Sequence, residues 1–341
     1  MRVDVRRRVA QTDIEVTVLG LGAAPLGNYR HRMTDGVAAD IEAASWDRGL
    51  RFVDTAPMYG HGLSEHRVGA DLRNRHRESV VVSTKVGRLL RPRPREDVDF
   101  ESYDEGLPFA LEFDYGYDGV MRSFEDSLQR LGLDRVDILF IHDVDVKTHG
   151  LARHRDVFEE AMSGGYRALD GLRAQGAVQA IGLGVNEHEP CLEALRRHDF
   201  NCFLLAGRYT LLEQDALDEF LPLCEQRGAS VIVGGGFNSG ILATGAVHHA
   251  RYDYGPAPRW AMERTHAIEL VCEAYGVKLA AAALQFVLAH PVVVSVVAGA
   301  RSVQQLHQSV AAVEAPIPAD FWESLRATGL LRADAPTPLL V

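Results

Sequence analysis

Four side chains of types that transfer protons stand at, or just beyond, the ends of apolar segments. Asp54 closes "LRFVD", Lys85 closes "VVVSTK", His142 closes "VDILFIH", and Tyr59 follows Asp54 by five residues. A tyrosine hydroxyl titrates near ~10 when free, and an adjacent ammonium group lowers that pKa because it stabilises the phenolate. If the four side chains meet, the set predicts acid–base catalysis with Tyr59 as proton donor and acceptor.

Each of the four also has an ordinary structural interpretation. Asp54 can cap the segment that follows it, the Lys85 ammonium can extend to water, His142 can be a satisfied core histidine, and Tyr59 can simply pack. As a set, Asp54 would keep Lys85 charged, and His142 would hydrogen-bond a substrate oxygen or relay a proton. Such a set moves protons only, so redox chemistry would also need an electron carrier.

The elements that would position these residues alternate along nearly the whole chain. Nearly continuous apolar runs are typical of parallel strands covered on both faces. Amphipathic segments with helix start and stop signals lie between them, such as the one from Thr34 or Asp35 to Gly49. Eight strand–helix units predict one (β/α)₈ barrel domain over residues 1–341. The eight strand candidates are "VTVLGLG", "LRFVDT", "SVVVSTKV", "RVDILFIH", "VQAIGLGV", "NCFLLAG", "ASVIVGG" and "PVVVSVVAGA".

The segments outside this alternation have their own predictions. The stretch "RVDVRRRVAQTDIEVTVLG" predicts an N-terminal β-hairpin that plugs the barrel floor, with Arg6–Arg8 as a solvated strand face. Two long loops, residues 88–118 and the segment containing "HHARYDYGPAPRW", leave the carboxyl ends of strands. Active sites of such barrels are built at that end, so both loops are expected to border the site.

Composition narrows the class of protein. Hydrophobic residues make up 47% of the 341, enough for a sizeable core, and 36 basic against 47 acidic residues give a net charge of −11. That sign argues against nucleic-acid binding, and no apolar run approaches the ~20 residues of a membrane span. We expect a cytoplasmic protein without a metal site, whose oligomeric state is unknown. Its cysteines should be reduced packing residues: Cys191, Cys202, Cys224 and Cys272.

Glycine-rich stretches follow the last two predicted strands. "VIVGGGFNSG" follows the seventh and "SVVAGARSVQQLHQS" the eighth, where barrels often bind phosphate groups. The plainer interpretation of the first stretch is a flexible turn. "GLGAAPLG" at Gly20 looks like a dinucleotide fingerprint, but no βαβ unit with an acid at the right distance follows it.

The sequence resembles the aldo-keto reductase family over almost the entire chain. The similarity is carried by "FVDTAPMYGHGLSEHRVG", "STKV" and "LGLDRVDILFIHDVD". It implies a catalytic tetrad of Asp54, Tyr59, Lys85 and His142, and a nicotinamide cofactor bound across the barrel mouth without a Rossmann domain. "GVNE", "LLAGRYTLLEQ" and "GGFNSGIL" are most similar to aldose 1-dehydrogenases for L-fucose-like or D-threo sugars, and to bacterial pyridoxal 4-dehydrogenases.

The resemblance also implies binding residues. Asn186 would bind the carboxamide, and because Gly234 stands where many members have an aromatic residue, Tyr209 is the candidate to stack on the nicotinamide. The implied cofactor-binding residues are Gly22, Asn186, Tyr209, Gly235, Gly236, Phe237, Asn238, Gly240, Gly299, Arg301 and Gln305. The candidate substrate residues are Asn28, Tyr29, Met58, Trp260 and the C-terminal tail.

The cofactor preference follows from two of these positions. NADP-preferring members often place cations on the 2′-phosphate where this chain has Gly299 and Gln305, with Arg301 nearby as partial compensation. Each missing charge-assisted hydrogen bond is worth ~1.5–3 kcal/mol, which favours NAD, with NADP possible. The predicted function is oxidation of a sugar hemiacetal to its lactone. The alternatives are an NADPH-dependent aldehyde or ketone reductase, a pyridoxal 4-dehydrogenase, and a nicotinamide-binding regulatory subunit.

Overall fold

Eight parallel strands close into a barrel, in the order in which they occur along the chain. The computed structural model describes residues 1–338. The barrel consists of β3, β4, β5, β8, β9, β10, β11 and β14, and β14 pairs back onto β3. All eight coincide with the predicted strands, which confirms the (β/α)₈ barrel. The strands are β1 (Arg6–Arg8), β2 (Glu15–Thr17), β3 (Leu19–Gly22), β4 (Phe52–Asp54), β5 (Val81–Val86), β6 (Arg88–Pro92), β7 (Phe109–Phe113), β8 (Ile138–His142), β9 (Ala180–Val185), β10 (Cys202–Ala206), β11 (Ser230–Gly234), β12 (Arg251–Tyr252), β13 (Gly255–Pro256) and β14 (Val293–Ala298).

Helices cover the outside of the barrel. Thr34 caps the first, where its hydroxyl accepts a hydrogen bond from the Val37 amide, and the third ends at Gly132, whose φ is 67°. The helices are α1 (Asp35–Asp47), α2 (Leu63–Leu72), α3 (Tyr117–Leu131), α4 (Val146–Glu160), α5 (Tyr166–Ala174), α6 (Glu189–Arg197), α7 (Phe220–Arg227), α8 (Ile241–Thr244), α9 (Arg259–Tyr275), α10 (Leu279–Leu288), α11 (Val303–Glu314) and α12 (Ala319–Ala327).

The barrel strands are apolar because both of their faces are buried. Every residue of β9 and β14 is buried, for example, as expected for a parallel sheet lined by side chains inside and by helices outside. The four cysteines are buried and unpaired, which agrees with a packing role. Within residues 1–338, no single helix is long and apolar enough to cross a membrane, although α9 and α10 reach that length and composition together across a 100° bend.

The N-terminal hairpin closes the floor of the barrel, as predicted. Strands β1 and β2 pair antiparallel, and Val9, Ile14 and Val16 pack in one cluster with barrel residues that include Phe52 and Phe140. The prediction of a fully solvated Arg6–Arg8 is wrong at the central residue. The Arg7 guanidinium donates to the carbonyl oxygens of Leu288 and Val293, at 2.9 and 2.6 Å, and so ties the hairpin to the barrel.

Both long connections are partly ordered as hairpins instead of plain loops. Strands β6 and β7 pair antiparallel within residues 88–118, and β12 pairs with β13 after β11. A bridge between Tyr29 and Tyr103 ties the first connection to the segment that follows β3. Both connections follow barrel strands at their carboxyl ends, so they border the carboxyl-terminal mouth.

Candidate active site

Lys85 lies at the centre of the cluster at the carboxyl-terminal mouth. Its ammonium group is 2.9 and 2.7 Å from the carboxylate oxygens of Asp54, 2.8 Å from the Thr55 carbonyl oxygen and 3.1 Å from the Tyr59 hydroxyl. Strands β4 and β5 are neighbours in the barrel, which brings the acid and the ammonium together. Lys85 is only 1% exposed, so this ion pair satisfies a charge that would otherwise be costly to bury.

His142 faces the same phenol from β8, the strand next to β5. Its ring lies 6.2 Å from the Tyr59 ring at 83° between planes. Burial lowers the pKa of His142 well below its ordinary value, with Arg88 and Lys85 adding to the effect, so the imidazole is neutral. Nε2 lies 3.3 Å from a carboxylate oxygen of Asp143, whereas Nδ1 is buried with no partner among the described residues. The carboxylate charge beside Nε2 disfavours a lone pair on that nitrogen and therefore favours the tautomer with the proton on Nε2.

The protonation of Tyr59 differs from the prediction. Burial of its hydroxyl raises its pKa well above the ordinary value, and the charges of Asp54 and Asp143 raise it further. The prediction of a net lowered pKa is wrong, because burial of the hydroxyl and the charges of Asp54 and Asp143 outweigh the stabilisation that the Lys85 ammonium gives to the phenolate. At neutral pH, Tyr59 is therefore a neutral phenol that can donate a proton.

Further tyrosines line the approach to Tyr59. The Tyr103 ring lies 6.3 Å from that of Tyr59 and 5.5 Å from that of Tyr29, edge to face. Burial raises the pKa of Tyr103, and the charges that perturb it include those of Tyr59, Tyr29 and Tyr254. The mouth therefore has an aromatic wall, defined as Tyr29, Tyr103 and Tyr254, that can pack against a planar or ring-shaped ligand.

A buried polar network joins His142 to Asn186. Asp143 accepts a hydrogen bond from the Asn186 side-chain amide at 2.9 Å and from the Arg88 guanidinium at 2.5 Å. Arg88 also contacts the Met58 sulfur at 2.8 Å. Burial raises the pKa of Asp143 to about 6, against the opposing charge of Arg88.

The β12–β13 hairpin reaches across the mouth. The hydroxyl of Tyr254, at its tip, donates to the Asn186 side-chain oxygen at 2.9 Å. Asp253, beside it, pairs with Lys147 and with Arg208. Both tip residues have positive φ, 47° and 68°, an unusual conformation for non-glycine residues that these contacts hold.

Several of the implied cofactor residues lie at the mouth. Gly22 pairs with Asp54 at the ends of β3 and β4, and a Cβ on Gly22 would come within 3.4 Å of the Gly299 amide nitrogen. Gly235 and Gly240 have positive φ, and a Cβ at Gly240 would meet no atom within 4 Å. The turn after β11 therefore presents open backbone, which suits the close approach of a pyrophosphate.

Charge at the rim is also suitable for a dinucleotide. Burial raises the pKa of Tyr29. The positive charges of Arg30, Arg251 and Arg301 lower this pKa, so these three guanidinium groups lie around the Tyr29 phenol. Gln305, on the first turn of α11, accepts a hydrogen bond from the Arg301 amide at 2.9 Å. Together with the open glycine backbone, this cationic rim would suit the anionic phosphates of a nicotinamide dinucleotide.

Two of the implied cofactor-binding residues use their side chains for contacts within the protein. Tyr209 cannot stack on a nicotinamide, because it is fully buried and packs on Phe286 and His290. Asn238 accepts from the Thr210 hydroxyl at 2.5 Å and donates to the Gly207 carbonyl oxygen at 3.0 Å, so its side chain holds the turn together. Gly236 and Phe237 lie within that same turn, and the Phe237 ring packs against the core.

The side chains of the four candidate substrate residues lie in different surroundings. Tyr29 packs on Tyr103, whose ring lies beside that of Tyr59, and Met58 directly precedes Tyr59 and contacts Arg88. The prediction is wrong for Asn28, which is 3% exposed and whose side-chain oxygen accepts from the Met33 amide and from Arg67. Trp260 is 46% exposed and packs edge to face on Tyr252, 4.9 Å away, at the base of the β12–β13 hairpin, so its role stays a prediction. In the tail, Ala335 and Thr337 bind Arg326, and residues 339–341 lie outside the described part.

A cavity of about 490 Å³ lies away from this cluster, between α4, α6 and the segment after β10. Its lining includes Arg155, Glu193, Arg208 and Glu213 but none of the four tetrad residues. The tetrad at the carboxyl-terminal mouth is therefore separate from this cavity.

Four residues of the site were not predicted from the sequence: Arg88, Tyr103, Asp143 and Tyr254. Three of these, Arg88, Tyr103 and Tyr254, lie in the long connections, where the tyrosines in "ESYDEG" and "YDYG" are visible without a signal for their direction. Asp143 directly follows His142 in "IHDVD". A second carboxylate beside a strand-end histidine is the signal that could have identified it, because a buried acid at that position needs partners.

Comparisons with known proteins agree with this geometry. The profile of the aldo/keto reductase family matches residues 18–329. A pyridoxal 4-dehydrogenase of Microbacterium luteolum is 43% identical, over 97% of this chain and 99% of that protein. A D-threo-aldose 1-dehydrogenase of a Pseudomonas species is 38% identical, over 96% and 98%. The solved holo form of a Bacillus halodurans aldo-keto reductase superposes with a TM-score of 0.73 at 26% identity, with 97% of each chain covered. The chain therefore belongs to the aldo/keto reductase family and is an oxidoreductase.

Proposed function

We propose that the chain oxidises a small cyclic hemiacetal to its lactone with a nicotinamide cofactor, and that its substrate is an aldose of the L-fucose or D-threo type. The observation that carries the proposal is the buried Lys85 ammonium between the Asp54 carboxylate and the Tyr59 hydroxyl. This arrangement stabilises a phenolate while the proton is transferred. The named activity of the 38% identical relative supports the substrate class.

Each catalytic residue has a separate role in the proposed oxidation. The O–H and C–H bonds at the anomeric carbon break, and the lactone carbonyl forms. Tyr59 takes the hydroxyl proton as a general base, and Lys85 stabilises the phenolate that this role needs. The neutral imidazole of His142 donates from Nε2 to the reacting oxygen and fixes its position. A bound oxidised nicotinamide supplies the hydride acceptor. In the reverse direction, Tyr59 protonates the alkoxide.

Site residues also support an assignment of cofactor contacts and preference. Asn186 would hold the carboxamide, and the turn from Gly235 to Gly240 would hold the pyrophosphate. Gln305 and Gly299 offer no cation for a 2′-phosphate, and Arg301 offers one at the rim. We therefore assign NAD as the preferred cofactor. Fluorescence titration with NAD⁺ and NADPH tests this preference, and tighter binding of NADPH would instead favour the broad aldehyde or ketone reductase.

A pyridoxal-type substrate is the second candidate, and the aromatic wall is the observation that favours it. Pyridoxal carries a hydroxymethyl group next to its aldehyde, so it closes to a cyclic hemiacetal as aldoses do. Its planar ring can pack on Tyr29 and Tyr254, the more exposed members of that wall. The 43% identical relative is named for this substrate. Turnover of L-fucose, D-arabinose and pyridoxal, followed by reduced-nicotinamide absorbance, distinguishes the two candidates.

The decisive test of the chemistry is Tyr59→Phe. The variant keeps the ring but removes the hydroxyl, so kcat should fall by about 10²–10⁴-fold while the affinity for the cofactor stays near that of the wild type. Tyr166→Phe, which changes a tyrosine stacked on His198 outside the mouth, is the matched control. Turnover by Tyr59→Phe at the wild-type rate would rule out this mechanism. Negligible turnover by the wild type, with one stoichiometric partner on purification, would favour a regulatory subunit.

A further inference from the structure

Asp143, the residue directly after His142, has a backbone conformation that is unusual for a side-chain-bearing residue. Its φ is 50°, in the left-handed region that non-glycine residues seldom adopt. Its amide donates to the Gly184 carbonyl oxygen at 2.9 Å, in line with the β8–β9 pairing. Its carbonyl oxygen lies 3.1 Å from the Tyr115 hydroxyl and 2.8 Å from Nε2 of His149. The surrounding structure thus holds this backbone in place.

That backbone aims the carboxylate at two groups of the proposed site at once. Oδ1 accepts from the Asn186 side-chain nitrogen at 2.9 Å, and Oδ2 lies 3.3 Å from His142 Nε2. Arg88 supplies the compensating charge through a contact of 2.5 Å to Oδ2. Asp143 is 6% exposed, so its hydrogen bonds and ion pair lie in a low-dielectric environment, where they are electrostatically stronger than in water.

The chemistry of a carboxylate fixes what these two neighbours present to the mouth. An ionised carboxylate only accepts hydrogen bonds, so Asn186 must turn its nitrogen toward Asp143 and its oxygen toward the mouth. There the oxygen already accepts from the Tyr254 hydroxyl. A carboxamide nitrogen of the cofactor would find the same acceptor. The same negative charge lies 3.3 Å from His142 Nε2 and disfavours a lone pair there, so the neutral His142 carries its proton on that nitrogen. Asp143 lies beside this N–H without accepting a hydrogen bond from it, which leaves the proton available to the substrate oxygen.

We propose that Asp143 is a positioning residue that sets both the Nε2–H tautomer of His142 and the outward-facing oxygen of Asn186. Through these two residues it couples the proton donor to the cofactor contact. This role in turnover rests on the proposed function, but the tautomer itself does not, since it belongs to the chain alone.

A purely structural role for Asp143 is the competing explanation, and the chain offers a matched control for it. Asp137 is also 6% exposed, pairs with Arg77 at 2.8 Å and accepts from the Val82 amide at 2.7 Å. It precedes β8, at the opposite end of the barrel from the mouth. Asp137→Asn therefore loses a comparable buried charge without touching His142 or Asn186.

The test is Asp143→Asn, compared with Asp137→Asn. Asparagine tolerates the left-handed backbone, so the variant should fold. The ¹⁵N shifts of the His142 ring, assigned by loss of its signals in His142→Gln, are measured on the chain without cofactor or substrate. We expect the wild type and Asp137→Asn to show one Nε2–H tautomer and Asp143→Asn to show a mixture. In turnover, Asp143→Asn should lose about 10–100-fold in kcat and raise the KM for the cofactor several-fold.

The outcomes separate the explanations. A wild-type tautomer in a folded Asp143→Asn overturns the proposal, and so do a wild-type kcat and cofactor KM. A tautomer mixture in a chain that turns over no hemiacetal supports the positioning of His142 and contradicts the proposed function instead. If Asp143→Asn does not fold, Asp143→Glu takes its place. It keeps the charge opposite Arg88 but moves the carboxylate by one methylene, so wild-type values in that variant would overturn the proposal equally.

Discussion

Lys85 contacts both carboxylate oxygens of Asp54, at 2.9 and 2.7 Å, inside a barrel wall where the two residues are 1% and 2% exposed. A buried charge whose partner is removed costs much more than the net worth of the pair. The pair therefore ties the stability of the barrel to the chemistry at its mouth. Stability and activity can be separated by changing one partner or both.

Lys85→Met should destabilise the protein by about 3–5 kcal/mol, because it leaves the Asp54 carboxylate buried without a counter-charge. The double variant Asp54→Asn/Lys85→Met should recover most of that loss, yet remain inactive because no ammonium supports the Tyr59 phenolate. Denaturant unfolding and steady-state turnover measure the two effects. Lys278→Met, at the exposed N-cap of α10, should change stability by no more than about 0.5 kcal/mol. Equal stability of the single and double variants would contradict the ion-pair argument.

The two reaction directions should depend on pH in opposite ways. The site raises the pKa of Tyr59, so the phenolate needed for oxidation is scarce at neutral pH and increases with each unit of alkalinity. The kcat for oxidation should therefore rise continuously from pH 7 to pH 10. The kcat for reduction, which uses the neutral phenol, should stay level and fall only beyond that range. An oxidation rate that is flat between pH 7 and 10 would show that Tyr59 is not the base.

Glu42 should make the fold less stable in alkali. It is 6% exposed on α1, and burial, with a further contribution from Asp71, raises its pKa to about 8. The folded chain thus holds a proton that the unfolded chain releases above the ordinary glutamate value. That binding stabilises the fold at acid pH, and the stability is lost as pH rises toward 8. Glu42→Gln removes the ionisation, so it should stabilise by up to about 4 kcal/mol at pH 8 and little at pH 4.

Thermal unfolding of Glu42→Gln across this pH range checks the prediction. Glu323→Gln is the control, because residue 323 is exposed on α12, where a substitution should change stability by no more than about 0.5 kcal/mol. If Glu42→Gln stabilised the protein equally at pH 4 and pH 8, Glu42 would not change its ionisation between these pH values, and the prediction would be wrong.

Gln305→Arg should move the cofactor preference toward NADP. Position 305 lies on the first turn of α11, next to Arg301, with which its side chain already bonds. A second guanidinium there can make charge-assisted hydrogen bonds worth ~1.5–3 kcal/mol to a 2′-phosphate, so kcat/KM for NADP⁺ should rise by about tenfold or more. Gln304→Arg adds the same charge at the neighbouring exposed position. If both variants raise kcat/KM for NADP⁺ equally, the added positive charge alone explains the increase, and residue 305 does not contact the 2′-phosphate.

Periodicity and strand-end chemistry predicted much of this molecule. Continuous apolar runs marked all eight barrel strands, because a strand covered on both faces must be apolar throughout. Parallel strands bring their carboxyl ends to one mouth, so Asp54, Lys85 and His142 were expected to meet. The contact of Lys85 with Asp54 and Tyr59 follows that logic.

The residues that the sequence could not place lie where direction depends on distant partners. Tyr209 and Asn28 have suitable chemistry, yet burial turns one toward Phe286 and the other toward Arg67. Arg88 and Tyr103 were predicted only as parts of a loop, and a hairpin and a bridge to Tyr29 direct them. The pKa of Tyr59 could not be predicted from the sequence either, because it depends on burial of the hydroxyl and on how far the Asp54 charge offsets that of Lys85.

The sequence by itself determined the barrel, its hairpin floor and the types of proton-transferring groups at its mouth, because these depend on local pattern and strand order. Only the tertiary structure decided that Asp143 joins His142 to Asn186, that Tyr254 reaches over from a hairpin, and that the resting phenol is neutral. Those features arise from side chains far apart in sequence that share one desolvated space. There, distances of a few ångströms set both the hydrogen bonds and the charges.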